Sequence, residues 1–321
     1  MSTPEEDIRP VVTVTLNPAI DQTITVEALR PGHVHRANAV RRNAGGKGVN
    51  VASCLADWGT PVVATGLLGS GNAAAFEALF TAKGIADRFV RLPGETRVNV
   101  KIADLAAADT TDLNLPGLTA DADALDRVRR TLRELVLPGT PVLLAGSLPD
   151  GLPADSYATL TTDLRAQGAR VVLDSSGPPL AAALAAPDLP FCIKPNRHEL
   201  EAWAGTPLPA TADLLEAARG LHRSGVAVVV VSLGADGALF VTDGPALHAR
   251  LPAVNALSTV GAGDAMVAGL IAAFGADRTL EDAARLSVAF ATAKLGCFGP
   301  NLPGADAVRA LAGQVEISTL Q

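Results

Sequence analysis

The sequence predicts an α/β protein: a doubly wound sandwich with a central, mostly parallel sheet flanked by helices, and a small β-sheet lid beside it. Short β-branched apolar runs recur along the chain, and each is followed by a small-residue pattern with helical spacing. Continuous apolar strands between helices belong to parallel sheets covered on both faces. Two further stretches alternate polar and apolar residues with no helix between their strands, the pattern of strands with one wet face. A chain of 321 residues, 48% of them hydrophobic, is long enough to bury about 75% of the surface its unfolded form exposes.

The first apolar run is "VVTVTL" (11–16). The helix-like "GVNVASCLADWG" separates it from "PVVATGLL" (61–68), after which a helix is predicted over 72–83. "PVLLAGSL" (141–148) falls between helices predicted at 121–135 and 153–167, and "ARVVLDSS" (169–176) follows. "FCIKPN" (191–196) leads into helices at 198–204 and 211–224, and "VAVVVVSLG" (226–234) precedes helices at 263–274 and 281–295. The alternating stretches, 21–46 and 95–117, are expected to pair as a sheet over the open end of the sandwich. No repeat, low-complexity segment or linker divides the chain. It reads as one domain over 1–321 with a lid of about 21–44 and 95–117 inserted in it.

Composition narrows the function. The net charge of −7 argues against non-specific nucleic-acid binding, so an anionic ligand would need a local basic pocket. Cys54, Cys192 and Cys297 are far apart, form no CxxC, and read as buried small hydrophobes in a reducing compartment. The acidic start "MSTPEEDIRP" has no apolar core of a signal peptide, and no run of 18 apolar residues occurs. The expectation is a cytoplasmic protein that engages neither membrane nor nucleic acid. His33, His35, His198, His222 and His248 lack triad or metal spacing, and Trp58, Trp203 and Tyr157 read as packing residues.

Three stretches carry chemistry. In "TVGAGDAMVAG" (259–269), Gly261, Ala262 and Gly263 strip bulk from a helix entrance just before Asp264. Free N–H groups and the helix dipole make such an entrance an anion site. An acid there repels an anion but can take a proton from a hydroxyl that attacks one. The other reading of Asp264 is a helix cap. "NAGGKGVNVA" (43–52) places Gly45, Gly46 and Gly48 around Lys47, with Asn50 close behind; the Lys47–Gly48 order rules out a Walker loop. "GLLGSG" (66–71) does not fit a dinucleotide fingerprint and reads as a strand-to-helix turn. In "KPNRHEL" (194–200), Asn196 and Glu199 are either oxygen donors toward a hydrated magnesium or a reciprocal capping pair.

Taken together, these stretches resemble the PfkB, or ribokinase-like, family of carbohydrate kinases. "AGGKGVNVA" is similar to its N-terminal glycine signature and "STVGAGDAMVAG" to its C-terminal one, with "KPNRHEL" and "SLGADGAL" between them in the family's order. The resemblance runs from about residue 11 to about 310. "TLNPAID" (15–21), "TRVNVKI" (96–102) and "AGSLPDG" (145–151) resemble the hexose-phosphate branch.

The resemblance implies an ATP- and Mg2+-dependent kinase acting on a sugar phosphate. Fructose 1-phosphate is the first expectation; tagatose 6-phosphate and fructose 6-phosphate are the alternatives, and a non-catalytic sugar-phosphate sensor is the reading from another class. It implies that Asp264 is the base and that Gly261, Ala262 and Gly263 donate N–H groups to the moving phosphoryl. Asp21, Gly46 and Asn50 would hold sugar hydroxyls. Arg36, Lys47, Arg97 and Ser147 would hold the phosphate already on the sugar. Lys194, Asn196, Ser232, Gly234, Ser258 and Val260 would meet the nucleotide, with Glu199 acting on magnesium through water. Arg41 and Arg42 are read instead as a solvated charged face. Two departures stand out: "AKLGCFGPNLP" (293–303) differs from the family's pattern around the adenine, and Ala145 stands where Ser is frequent. The lid sheets of related kinases suggest a homodimer.

Overall fold

A computed structural model describes residues 10–107, 109–251, 260–276, 278–297 and 299–320. The chain opens with β1 (Val11–Thr15), then two lid strands, β2 (Ala19–Val26) and β3 (Ala39–Gly45), before α1 (Lys47–Trp58). It continues through β4 (Val62–Gly69), α2 (Ala74–Lys83), β5 (Ala86–Asp87) and β6 (Val90–Leu92) to two more lid strands, β7 (Val98–Asp104) and β8 (Asp109–Leu113). The α/β alternation resumes with α3 (Ala122–Leu135), β9 (Pro141–Ala145), α4 (Ser156–Ala166), β10 (Arg170–Asp174), α5 (Gly177–Ala185) and β11 (Cys192–Ile193). Next come α6 (Arg197–Ala204), α7 (Thr211–Arg223), β12 (Val228–Ser232), β13 (Ala238–Val241) and β14 (Ala246–Arg250). The chain closes with α8 (Ala262–Gly275), α9 (Leu280–Leu295), α10 (Ala305–Ala312) and β15 (Glu316–Leu320).

The large sheet runs β15-β14-β13-β12-β11-β10-β9-β1-β4-β5, with β6 also on β4. From β12 to β5 its neighbours are parallel, and β13, β14 and β15 add an antiparallel edge. Successive side chains on a strand point to opposite faces, and this alternation divides the core in two. Val11, Leu143, Ala145 and Val172 face one layer with α1, α8 and α9. Val12, Val14, Val142, Leu144, Val171 and Leu173 face the other, with α3, α4 and α7. Both faces are covered, which is why the strand sequences are continuously apolar. α8 and α9 are rich in alanine and pack closely; a Cβ on Gly269 would fall 2.7 Å from the Leu286 carbonyl oxygen.

The alternating stretches pair as expected, in a separate sheet of order β3-β2-β7-β8. Its two halves, remote in sequence, meet where β2 and β7 run parallel with Asp21 opposite Asn99. The predicted apolar runs overshoot their strands at the carboxyl end: β9 stops at Ala145, β10 at Asp174 and β11 at Ile193. The tails "GSL", "SS" and "KPN" turn out of the sheet because they carry polar groups that the dry strand edge would not satisfy. α5, α10 and the antiparallel edge β13–β15 have no counterpart in the sequence reading. α5 begins "GPPL", and prolines mask a helix start that they in fact favour.

Leu144 is fully buried in β9. Leu144→Ala is expected to cost about 2–5 kcal/mol, read as a lower urea midpoint with an unchanged slope. A midpoint within error of the parent would mean that this layer is not close-packed.

Candidate active site

Parallel strands present their carboxyl ends at one edge of the sheet, where α/β proteins place their ligands. Here that edge carries Asn17 after β1, Ser147 after β9, Asp174 ending β10, Lys194 and Asn196 after β11, and Ser232 and Gly234 at the end of β12. α8 starts at the same edge. Gly261, its N-cap, has φ 82°, the left-handed region that favours glycine. A Cβ on Gly263 would stand 3.8 Å from Lys194 Nζ, and one on Gly261 would stand 3.4 Å from Lys294 Cε. The first turn, whose N–H groups find no side-chain acceptor among the described residues, therefore lies close to two buried lysines.

Asp264 sits in that first turn and does not cap it; among the described residues no side chain caps α8. Its Oδ2 instead accepts a 2.7 Å hydrogen bond from Asn50 Nδ2 of α1. Burial, reinforced by the neighbouring Asp174 carboxylate, pushes the Asp264 carboxyl up to about 6, against the opposing pull of Asn50, Lys47 and Lys194. Asp174 lies between Lys47 Nζ at 3.1 Å and Lys194 Nζ at 3.6 Å. Burial would raise its carboxyl, but the two ammonium groups prevail and hold it below the usual carboxylate range. Burial would likewise lower Lys47, but the Asp174, Asp264 and Glu199 carboxylates raise it. The other Asp174 oxygen, Oδ2, is buried without a hydrogen-bond partner.

The two readings of "KPNRHEL" meet in one geometry. Asn196 Oδ1 accepts the Glu199 N–H at 2.9 Å and Glu199 Oε2 accepts the Asn196 N–H at 2.8 Å, a complete capping box on α6. Glu199 keeps its second oxygen outside that box. Among the described residues no group of three His, Cys, Asp or Glu could hold a metal alone. This donor set fits a magnesium that arrives on a nucleotide and is met through water by Glu199, not a caged ion. Asn196 also bridges to Ser232, whose N–H donates to the Pro195 carbonyl at 3.0 Å. Lys194, Asn196, Ser232 and Gly234 thus share one corner, Val260 is exposed at the cavity rim, and Ser258 lies outside the described residues.

A cavity of about 640 Å³ opens between α8 and the lid, lined by Asp21, Asn43, Asn50, Gly261 and Lys294, with Arg41 and Lys101 on the lid side. Burial raises the Asp21 carboxyl, opposed by Lys101 and the Asn99 amide. Gly46 joins β3 to α1 with φ 108°, and a Cβ there would fall 2.9 Å from Pro18 Cα. Arg97 is half-buried at the root of the lid, donating to the Asn17 and Pro18 carbonyls at 3.2 and 3.4 Å. Asn17 in turn donates to Ser147 Oγ at 3.1 Å, so Arg97 and Ser147 flank one asparagine.

Arg36 lies exposed in the segment between β2 and β3 and does not line the cavity. Arg41 is exposed, as its solvated-face reading expects, and also lines the cavity, because period two along β3 puts residues 39, 41 and 43 on the cavity side. Arg42, on the opposite face, donates to Gln22 at 2.7 Å in the open. The sequence reading missed Asn17, Asp174 and Lys294. An acid closing an apolar strand in "VVLDSS" was the available signal for Asp174.

The chain matches the model of the pfkB family carbohydrate kinases over residues 14–307. It is 55% identical over 287 residues to a protein named 1-phosphofructokinase from Xanthomonas campestris pv. campestris, covering 88% of this chain and 90% of that one. It is 50% identical over 312 residues to another of that name from Rhodobacter capsulatus, covering 97% and 98%. The fold is similar to phosphofructokinase-2 from Escherichia coli in complex with fructose-6-phosphate, with a TM-score of 0.88 and 28% identity over 95% of this chain and 98% of that one.

The raised Asp264 carboxyl makes a stability prediction. Its folded value lies above the unfolded 3.8, so its favourable contribution is complete below that value and is lost as pH rises through about 6. Asp264→Asn is therefore expected to raise the urea midpoint at pH 7.5, by up to about 3 kcal/mol, with the gain vanishing toward pH 4. An equal effect at both pH values would rule out a carboxylate held at such a cost.

Proposed function

The chain belongs to the pfkB family of carbohydrate kinases, and on that premise we propose that it transfers the terminal phosphoryl of ATP to the free primary hydroxyl of fructose 1-phosphate, giving fructose 1,6-bisphosphate. The observation that carries the reading is the placement of Asp264: a buried carboxylate, held by Asn50, in the first turn of a helix that has no side-chain cap among the described residues. The substrate follows from relatives named 1-phosphofructokinase at 50% identity and above.

In this reading Asp264 accepts the proton of the hydroxyl as its oxygen bonds to the terminal phosphorus, the bond to the bridging oxygen breaks, and ADP leaves with that electron pair. The N–H groups of Gly261, Ala262 and Gly263, with Lys194 beside them, stabilise charge that spreads over the phosphoryl oxygens. Magnesium, bound with ATP, neutralises part of the phosphate charge. Lys194, Asn196, Ser232, Gly234, Ser258 and Val260 form the nucleotide side, and Glu199 meets the hydrated ion. Asp21, Gly46 and Asn50 hold sugar hydroxyls. Arg97, Lys47 and Ser147, joined by Asn17, hold the existing phosphate; guanidinium and ammonium groups suit that ligand. Arg36 is left out because it does not reach the cavity. The lid excludes water from the closed site. The exposed Val34, Val40 and Leu113 on and around the lid strands support a homodimer formed through the lid.

Three measurements test the reading. Turnover with ATP and magnesium is expected to rank fructose 1-phosphate above fructose 6-phosphate, tagatose 6-phosphate, free fructose and ribose by kcat/KM. A 6-phosphate in first place would keep the mechanism and change the substrate; a free sugar in first place would refute the phosphate site. Asp264→Asn is expected to lose turnover about 100-fold or more while sugar-phosphate affinity holds, and the parent's kcat/KM should fall as pH drops below about 6. Arg97→Ala is expected to weaken fructose 1-phosphate binding by about tenfold or more with a smaller effect on ATP, as read by calorimetry.

A further inference from the structure

Lys294 closes the last turn of α9, and a lysine there usually points into water to complement the helix dipole. This one does not: the residue is 2% exposed, and what remains open faces the cavity between lid and α8. Its Nζ donates to the Cys297 carbonyl at 2.9 Å. Among the described residues no carboxylate comes within ion-pair distance of it, whereas the equally buried Lys194 is paired with Asp174. Burial lowers the Lys294 ammonium, with Asp264 and the two neighbouring thiols opposing from further off.

A buried charge without a counter-ion is expensive, costing several kcal/mol after relaxation. Proteins keep such a charge where a ligand brings the missing partner. Lys294 lies against Gly261, the N-cap of α8, and Lys194 lies near Gly263 two residues on. An anion reaching the first turn of α8 would meet a buried lysine near each of its two glycines. Asp174 is already matched by Lys47 and Lys194, so Lys294 is the buried lysine near this helix start that has no ion-pair partner among the described residues.

We propose that Lys294 is a phosphoryl-binding residue, the second cation of the anion site at the start of α8, and that the counter-ion it lacks is the phosphate of the bound nucleotide in transfer. The proposal rests on the reading of α8 as the phosphoryl site.

Lys294→Met and Lys294→Arg separate this from a packing role. Lys294→Met is expected to lower kcat by about 100-fold, the loss typical of one preorganised donor to a developing oxyanion, with the KM for fructose 1-phosphate within about twofold. Its unliganded melting temperature should equal or exceed the parent's, since an uncompensated buried charge is gone, and the rise on adding ATP and magnesium should shrink. Activity should return in part in Lys294→Arg, or in Lys294→Ala supplied with ammonium chloride but not with the same concentration of sodium chloride. Near-parental kcat in Lys294→Met overturns the proposal. So does a loss accompanied by a lower unliganded melting temperature, or a loss that neither arginine nor ammonium ions repair. If Asp264→Asn abolishes turnover while Lys294→Met does not, only the lysine's role fails. If both retain turnover, the reading of α8 itself fails.

Discussion

The site depends on one buried carboxylate, Asp174, standing between two ammonium groups at the dry carboxyl edge of the sheet. Two unit charges 4 Å apart in an effective dielectric of about 20 attract by about 4 kcal/mol, while each buried ion forfeits several kcal/mol of hydration. One lysine would leave that account near balance; two, at 3.1 and 3.6 Å, tip it toward the charged state. The consequence reaches beyond Asp174. Because it stays charged, it repels the next carboxylate, and Asp264 is pushed to about 6 by its own burial and by that repulsion. A carboxylate near 6 is a stronger base than a solvated aspartate and is still ionised at neutral pH.

The same pair of contacts ties remote parts of the chain together. Lys47 opens α1, Asp174 ends β10 and Lys194 follows β11, so one carboxylate holds the glycine loop to the sheet and sets both lysines beside α8. Asn50, one helical turn beyond Lys47, completes the arrangement by donating to Asp264. Lys47 and Asn50 sit on one face of α1 because residues three apart share a face. The spacing of "KGVN" is thus set by two acids that belong to different elements.

Much of this was legible in the sequence. The strand and helix rhythm is visible because each parallel strand is buried on both faces, and the lid because its strands are not. Gly261 to Asp264 is conspicuous because a helix entrance free of bulk is rare. Asn17, Asp174 and Lys294 were not found, each for a physical reason. Asn17 acts through Ser147, 130 residues away, and a contact at that separation leaves no local pattern. Asp174 does close an apolar run, but its partner Lys47 is 127 residues distant. Lys294 looks like any lysine ending a helix. It is buried only because the chain after α9 folds back across it, offering the Cys297 carbonyl. That the exposed Arg41 also lines the cavity was hidden for a different reason: alternation assigns residues to two faces, but only the pairing of β2 with β7 decides which face covers the cavity.

The connection between lid and base follows from chain geometry. β3 ends at Gly45 and α1 begins at Lys47, so Gly46 alone joins the lid to the helix that carries Lys47 and Asn50. Its positive φ and its close approach to Pro18 leave no room for a side chain, and no slack for a longer joint. A flexible linker would let the lid move independently of the catalytic groups. A single-residue joint passes any rotation of β3 into the first turn of α1, and hence to the amide that holds Asp264. On the other side Asp21 pairs with Asn99 across β2 and β7, so this cavity-lining carboxyl rides on the same sheet. The lid and Asp264 are therefore linked through two covalently adjacent elements and one hydrogen bond, the path by which a lid contact would reach the proposed base.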